Sequence, residues 1–334
     1  MRDGLTLGEG YHHVRGSSHA EVVALEDACA KGHEVRGATL YVSLEPCNHH
    51  GATPPCTDSI IAAGLARVVI GALDPNPKTN RGGIEHLRAS GIEIDLMDDE
   101  WARDLIEQFS VAIRLNRPYV TLKMAASLDG FVAPKPGAYW LTGEASRERV
   151  RELRYWHDAV MVGAGTARAD DPLLTVRPPH ARMRPYARVI VCEEHAIPSG
   201  SRVLHEENGY ARTILVAPTG SRGEFRDLED RAECIFVGPD DAARLDLGAA
   251  LVALRGAGIS SLLCEGGPTL AAALLAAGVV DRLVWIVAPV RLENPEAVPA
   301  LAGDLYQKLL AWDFETAERS GDDLLLTAKL GRDV

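Results

Sequence analysis

His19-Ala20-Glu21, followed after a strand-like run by Pro46-Cys47-Asn48-His49-His50-Gly51-Ala52-Thr53-Pro54-Pro55-Cys56, is the stretch on which the reading of the first half of the chain turns. One imidazole and two thiols supply three metal ligands and leave a fourth coordination position open, as a catalytic zinc site requires. Glu21 stands two residues beyond His19 at a helix start, placed to approach such a metal without ligating it and to carry protons. The order H-x-E, P-C, C matches the signature of zinc-dependent base deaminases, whose cysteines are closer together than the eight-residue gap here. On spacing alone a structural zinc, or no metal with His19 merely capping a helix, stays open.

Outward from this stretch the chain alternates helix-like and strand-like segments. HAEVVALEDACAKG, CTDSIIAAG and IEHLRASG read as helices, each stopped by a glycine (Gly32, Gly64, Gly91), while ATLYVSLEP, ARVVIGALDP and IEIDLM read as strands. That is a layered α/β domain. Trp101–Asn116 is a longer amphipathic helix closed by Arg117 and Pro118, which places a domain boundary after residue 116. From 117 to 334 a second α/β series follows, ending in FETAERSGDDLLLTAKL, read as two strands joined at Ser320-Gly321-Asp322. Its sheet is therefore expected to be mixed, with an antiparallel edge.

A length of 334 residues accommodates two such domains. The formal charge of −12 argues against a broad nucleic-acid footprint, which needs clustered Lys and Arg. No apolar run approaches the ~18–20 residues of a membrane span, and MRDGLTLGEG lacks the basic start and apolar core of a secretory signal. The expected location is the cytoplasm, with no membrane or nucleic-acid partner; self-association stays open. Cys29, Cys192, Cys234 and Cys264 lie scattered in apolar stretches and read as small core residues.

Four islands carry the chemistry of the second half. They are Lys123 with Ser127-Leu128-Asp129-Gly130; Trp140-Leu141-Thr142-Gly143; Gly163-Ala164-Gly165-Thr166 with Asp170 and Arg177; and Glu265-Gly266-Gly267-Pro268-Thr269. Small residues between a strand and a helix let backbone N–H groups approach a phosphate, and two such turns fit a dinucleotide. None is a G-x-G-x-x-G fingerprint, so this is not a Rossmann site.

Taken in order, H-A-E, L-E-P-C, T-P-P-C, D-P-N-P and these four islands resemble the bifunctional deaminase and reductase family of riboflavin biosynthesis, across nearly the whole chain. The resemblance implies a cytidine-deaminase-like domain over residues 1–116 and a dihydrofolate-reductase-like domain over 117–334. It implies zinc on His19, Cys47 and Cys56, with Glu21 as proton shuttle in deaminating a diaminopyrimidine ribosylamino 5′-phosphate. It also implies NADPH contacts at Ala126, Trp140, Thr166, Asp170, Gly267, Pro268, Thr269 and Leu270. Arg154, Leu174, Arg177 and Glu265 become substrate contacts; the two arginines suit a sugar phosphate, which an Arg fork binds bidentately. Relative to the family pattern, a helix, an N-P-x-V-G turn and a central strand are missing before Asp3–Gly10, beside a strand expected over Leu5–Gly10. Thr79-Asn80-Arg81 stands where small residues are usual. These departures leave a second expectation beside the bifunctional one: a reductase whose N-terminal domain only scaffolds.

Overall fold

The regular structure opens with α1 (Ala20–Ala30), immediately after His19. The computed structural model describes residues 1–14, 16–77, 79, 81–132, 140–176, 186–205, 211–293, 297–301 and 312–330, in two compact units, Met1–Leu115 and Asn116–Val334.

In the first unit α1 is followed by β1 (Thr39–Leu44), α2 (Cys56–Ala62), β2 (Arg67–Ala72), α3 (Gly82–Ala89), β3 (Glu93–Leu96) and α4 (Glu100–Arg114). The strands form a parallel sheet in the order β1-β2-β3. Val68 and Ile70 of β2 pack with Ile60 of α2 and Leu87 of α3 as fully buried core. The three predicted glycine stops fall just past their helices with positive φ (77°, 66° and 82°), a backbone that side-chain-bearing residues resist.

The strand expected over Leu5–Gly10 does not form. A Cβ on Gly8 would meet Ala24 O at 2.4 Å, and one on Gly10 would meet Ala24 N at 2.5 Å, so the segment lies flat on α1 instead of extending along a sheet. Leu7 enters the core from there; Leu5 makes only an isolated antiparallel bridge with Arg2, and Met1 pairs with Thr39 at the start of β1.

The second unit runs β4 (Tyr119–Ser127), α5 (Glu144–Trp156), β5 (Ala159–Gly163), α6 (Ala164–Asp170), β6 (Tyr186–Val191), β7 (Ala211–Pro218), β8 (Glu233–Val237), α7 (Leu247–Gly256), β9 (Ser261–Cys264), α8 (Pro268–Ala276), β10 (Arg282–Ala288), β11 (Trp312–Ser320) and β12 (Asp323–Leu330), with 3-10 helices at Arg202–Leu204 and Thr219–Leu228. They build one nine-stranded sheet, β11-β12-β10-β4-β9-β5-β6-β7-β8, parallel except for β11 and β12. The C-terminal hairpin is thus the antiparallel edge expected from the sequence.

Alternation along the strands separates two cores. Ala159 and Met161 of β5 pack on the face covered by α7 and α8, and Val160 and Val162 on the face covered by α6 and the Thr219–Leu228 helix. With both faces covered, these strands are continuous apolar runs, as buried parallel strands are. Cys192 and Cys264 are core residues and Cys234 is half-buried, but Cys29 is exposed on α1, against expectation. Arg117, read from sequence only as part of a helix stop, is buried. Its guanidinium grips Asp281 with two 2.7 Å contacts, and Asp281 also accepts the N–H of Val120 at 2.8 Å.

Candidate active sites

His19 occupies the N-cap position of α1 yet makes no side-chain cap hydrogen bond. Its ring turns to the thiols: Nδ1 lies 3.2 Å from Cys56 Sγ and 3.5 Å from Cys47 Sγ. The three ligand atoms lie within 4.8 Å of one another. A zinc ion with bonds of roughly 2.0–2.3 Å to N and S fits such a spacing. The helix-cap alternative for His19 is therefore removed. Thr53 Oγ1, 3.4 Å from His19 Nε2, stands on the far side of the ring, the place of an orienting partner.

The two thiols are shifted in opposite directions. A hydrogen bond with Cys56, joined by the Cys56 N–H at 3.3 Å and the charge of His19, outweighs burial and brings the Cys47 thiol down to about 5. Cys56 moves the other way, raised by the same partner, by burial and by Glu21. Glu21 is 9% exposed. Burial pushes its carboxyl up, past the lowering effect of its own N–H and of Cys56. A buried carboxyl hydrogen-bonded to the Cys56 thiol, inclined to hold a proton, suits general acid–base work. His12 edges the His19 ring at 5.2 Å between centroids, while His49 is exposed. Asp74, of the D-P-N-P turn, accepts from Asn76 N and Thr79 Oγ1 and so fixes the loop after β2.

In the second unit, β5 and β9 are neighbours and their C-terminal ends feed α6 and α8 side by side. Gly163 and Gly267 are the N-caps, and neither helix start has a side-chain cap. A helix start without a side-chain cap presents its first-turn N–H groups to an anion such as a dinucleotide phosphate, although Pro268, first in α8, contributes none. A Cβ on Gly267 would lie 3.4 Å from Thr166 Oγ1, so the two expected contacts share one cradle. These features fit NADPH. Trp140 is exposed, with Arg147 stacked 5.2 Å from its ring. Ala126 is buried at 1% and Leu270 at 8%, whereas Asp170 and Thr269 are exposed and Pro268 is half-buried at the start of α8.

The substrate contacts expected from sequence divide. Arg154 Nε and Nη2 are engaged by Glu265 at 2.5 and 3.1 Å, and Nη1 by Thr175 O at 3.3 Å. The fork expected to take a phosphate is thus occupied by a carboxylate of the same chain. Burial alone would push the Glu265 carboxyl up, but Arg154 outweighs it and holds it below its ordinary range. Lys123 completes the group: burial lowers its ammonium, Glu265 opposes that, and Arg154 adds to it. The mid-strand position of Lys123 in the sequence gives no sign that two later segments bring charges to it. Leu174 is 3% exposed with φ 50°, its side chain in the core. Arg177 lies outside the described residues.

Fold and sites together define a class, a zinc deaminase joined to a pyridine-nucleotide reductase of dihydrofolate-reductase-like fold. Residues 118–326 match the family described as the RibD C-terminal domain, and residues 1–72 match the cytidine and deoxycytidylate deaminase zinc-binding region. The chain belongs to the RibD family of riboflavin-biosynthesis enzymes. It is 37% identical to the riboflavin biosynthesis protein RibD of Aquifex aeolicus, over 98% of this chain and 90% of that protein. It is 38% identical to that of Escherichia coli, over 86% and 80%. Among solved structures, a diaminohydroxyphosphoribosylaminopyrimidine deaminase/5-amino-6-(5-phosphoribosylamino)uracil reductase from Thermotoga maritima is 32% identical over 99% of this chain and 90% of that one, with a TM-score of 0.85. Relatives carrying both halves, and family matches over both, support the bifunctional reading over a reductase with a scaffolding N-terminal domain. Among the described residues no helix is long and apolar enough to cross a membrane.

Proposed function

We propose that residues 1–116 deaminate a diaminopyrimidine ribosylamino 5′-phosphate and residues 117–334 reduce its ribosyl chain to ribityl. The observation that carries the first step is the convergence of His19, Cys47 and Cys56, with the buried Glu21 carboxyl hydrogen-bonded to Cys56. Zinc bound there supplies the Lewis acid that activates water. His19 and the two cysteines hold it, and Glu21 takes a proton from the attacking water and delivers one to the departing amino nitrogen.

For the second step, Thr166 and the Gly267–Leu270 turn receive the cofactor phosphates on the starts of α6 and α8, and Ala126, Trp140 and Asp170 complete that surface. NADPH supplies the hydride. Glu265 and Lys123 present opposite charges to the substrate, and Arg154 orients Glu265 rather than binding phosphate; Arg177 is the remaining arginine for that task.

Glu21→Gln tests the first assignment. The variant should keep its zinc and its reduction step while deamination falls 10²–10⁴-fold, the usual worth of a positioned acid–base group. Deamination within a few-fold of the unaltered chain, assayed on its own substrate, would remove Glu21 from the mechanism.

A further inference from the structure

Glu45 directly precedes the Pro46-Cys47 step, and the mechanism above does not use it. Only 3% of it is exposed. A buried carboxylate is costly unless hydrogen-bonded, so its partners are informative. They are four backbone N–H groups. Oε1 accepts from Gly83 at 3.1 Å and Ile84 at 3.3 Å, in the first turn of α3; Oε2 accepts from Arg81 at 2.9 Å and Asp74 at 3.4 Å. Arg81 is held there in a left-handed backbone, φ 63°. The Glu45 N–H meanwhile donates to Ala72 O at 2.9 Å, continuing the β1–β2 ladder.

One side chain thereby ties the end of β1 to the loop that follows β2. Two further contacts run in parallel. A Cβ on Gly83 would lie 2.0 Å from Pro46 O, so the ligand loop rests directly on the start of α3, and Asn48 Nδ2 donates to Gly82 O at 3.3 Å. Cys47 sits between Pro46 and Asn48, both pinned to α3.

We propose that Glu45 is a positioning residue of the deaminase half: its carboxylate clamps the Pro46–Asn48 backbone to the start of α3 and so aims Cys47 Sγ at His19 and Cys56. It acts through backbone, not as a ligand. The inference rests on those three residues being the zinc set, a premise read separately from the zinc content of the unaltered chain.

Glu45→Gln in the full chain tests it, since Gln turns an amino group toward one pair of the N–H donors. Zinc affinity, measured by competition with a chromophoric chelator, should fall 10–100-fold, the usual cost of losing an outer-shell partner. Cobalt in place of zinc should show a shifted visible spectrum, amide exchange should quicken at residues 81–84 while Val68 and Ile70 stay protected, and the reduction step should keep its rate. Zinc affinity within twofold of the unaltered chain, with an unchanged cobalt spectrum, overturns the proposal. So does loss of protection at Val68 and Ile70 together with the zinc, because Glu45 would then hold the domain rather than aim the ligand.

Discussion

His19 stands where a helix usually places a Ser, Thr, Asp or Asn to cap its first turn, and its ring serves two thiols instead. That choice was legible because Cys47 and Cys56 are the only cysteines close together in sequence and H-x-E precedes them. Zinc analysis should return about one ion per chain and close to none for Cys56→Ser, since two ligands rarely retain a structural or catalytic zinc. Equal zinc in both would defeat the assignment. The outer partners were not legible. Thr53 and Glu45 fall within the T-P-P-C and L-E-P-C motifs, but nothing in the motifs assigns them a role; only the folded loops show that one stands behind the imidazole and the other beneath the cysteine loop.

Among the elements, strands were easiest to find. AVMVG is apolar throughout, and YARVIV and SLLC are buried throughout with Arg188 and Ser261 as polar exceptions, because each is covered on both faces; the short helices end at glycines with positive φ. Segments ruled by close approach were missed. Leu5–Gly10 alternates like a strand, but Gly8 and Gly10 exist to let it touch α1, and α6 hides in a run rich in Gly and Ala that reads as a turn. The start of α8 makes its own prediction. A Cβ at Gly267 is already tight against Thr166, so Gly267→Val fills the cradle and should weaken NADPH binding by about tenfold or more. Unchanged affinity by fluorescence titration would place the cofactor elsewhere. The link before β4 makes another. Asp281→Asn leaves the Arg117 guanidinium buried without its counter-charge, and breaking such pairs costs about 3–5 kcal/mol. Denaturant melts of the reductase half should show that loss; a change under about 1 kcal/mol would mean the pair is dispensable to stability.

At the scale of the molecule, two sites depend on different groups in different units, so their chemistries separate. Stripping zinc with a chelator should abolish deamination and leave NADPH-dependent reduction of the deaminated intermediate near its original rate. A parallel loss of both would contradict the assignment of zinc to the first unit alone. The sheet orders also differ. In the first unit the strands lie side by side in the order in which they occur, β1-β2-β3, whereas β4, the first strand of the second, is flanked by β9 and β10. Val120 and Leu122, both fully buried in the finished sheet, find their neighbours only at Leu262 and Cys264 and at Leu283. On a ribosome adding about 5–20 residues per second, that interval lasts on the order of ten seconds or more. The nascent deaminase half can close as it emerges. The strand that will become the middle of the reductase must wait, apolar and unpaired, until its partners are translated, which makes this half the natural client of a chaperone during synthesis.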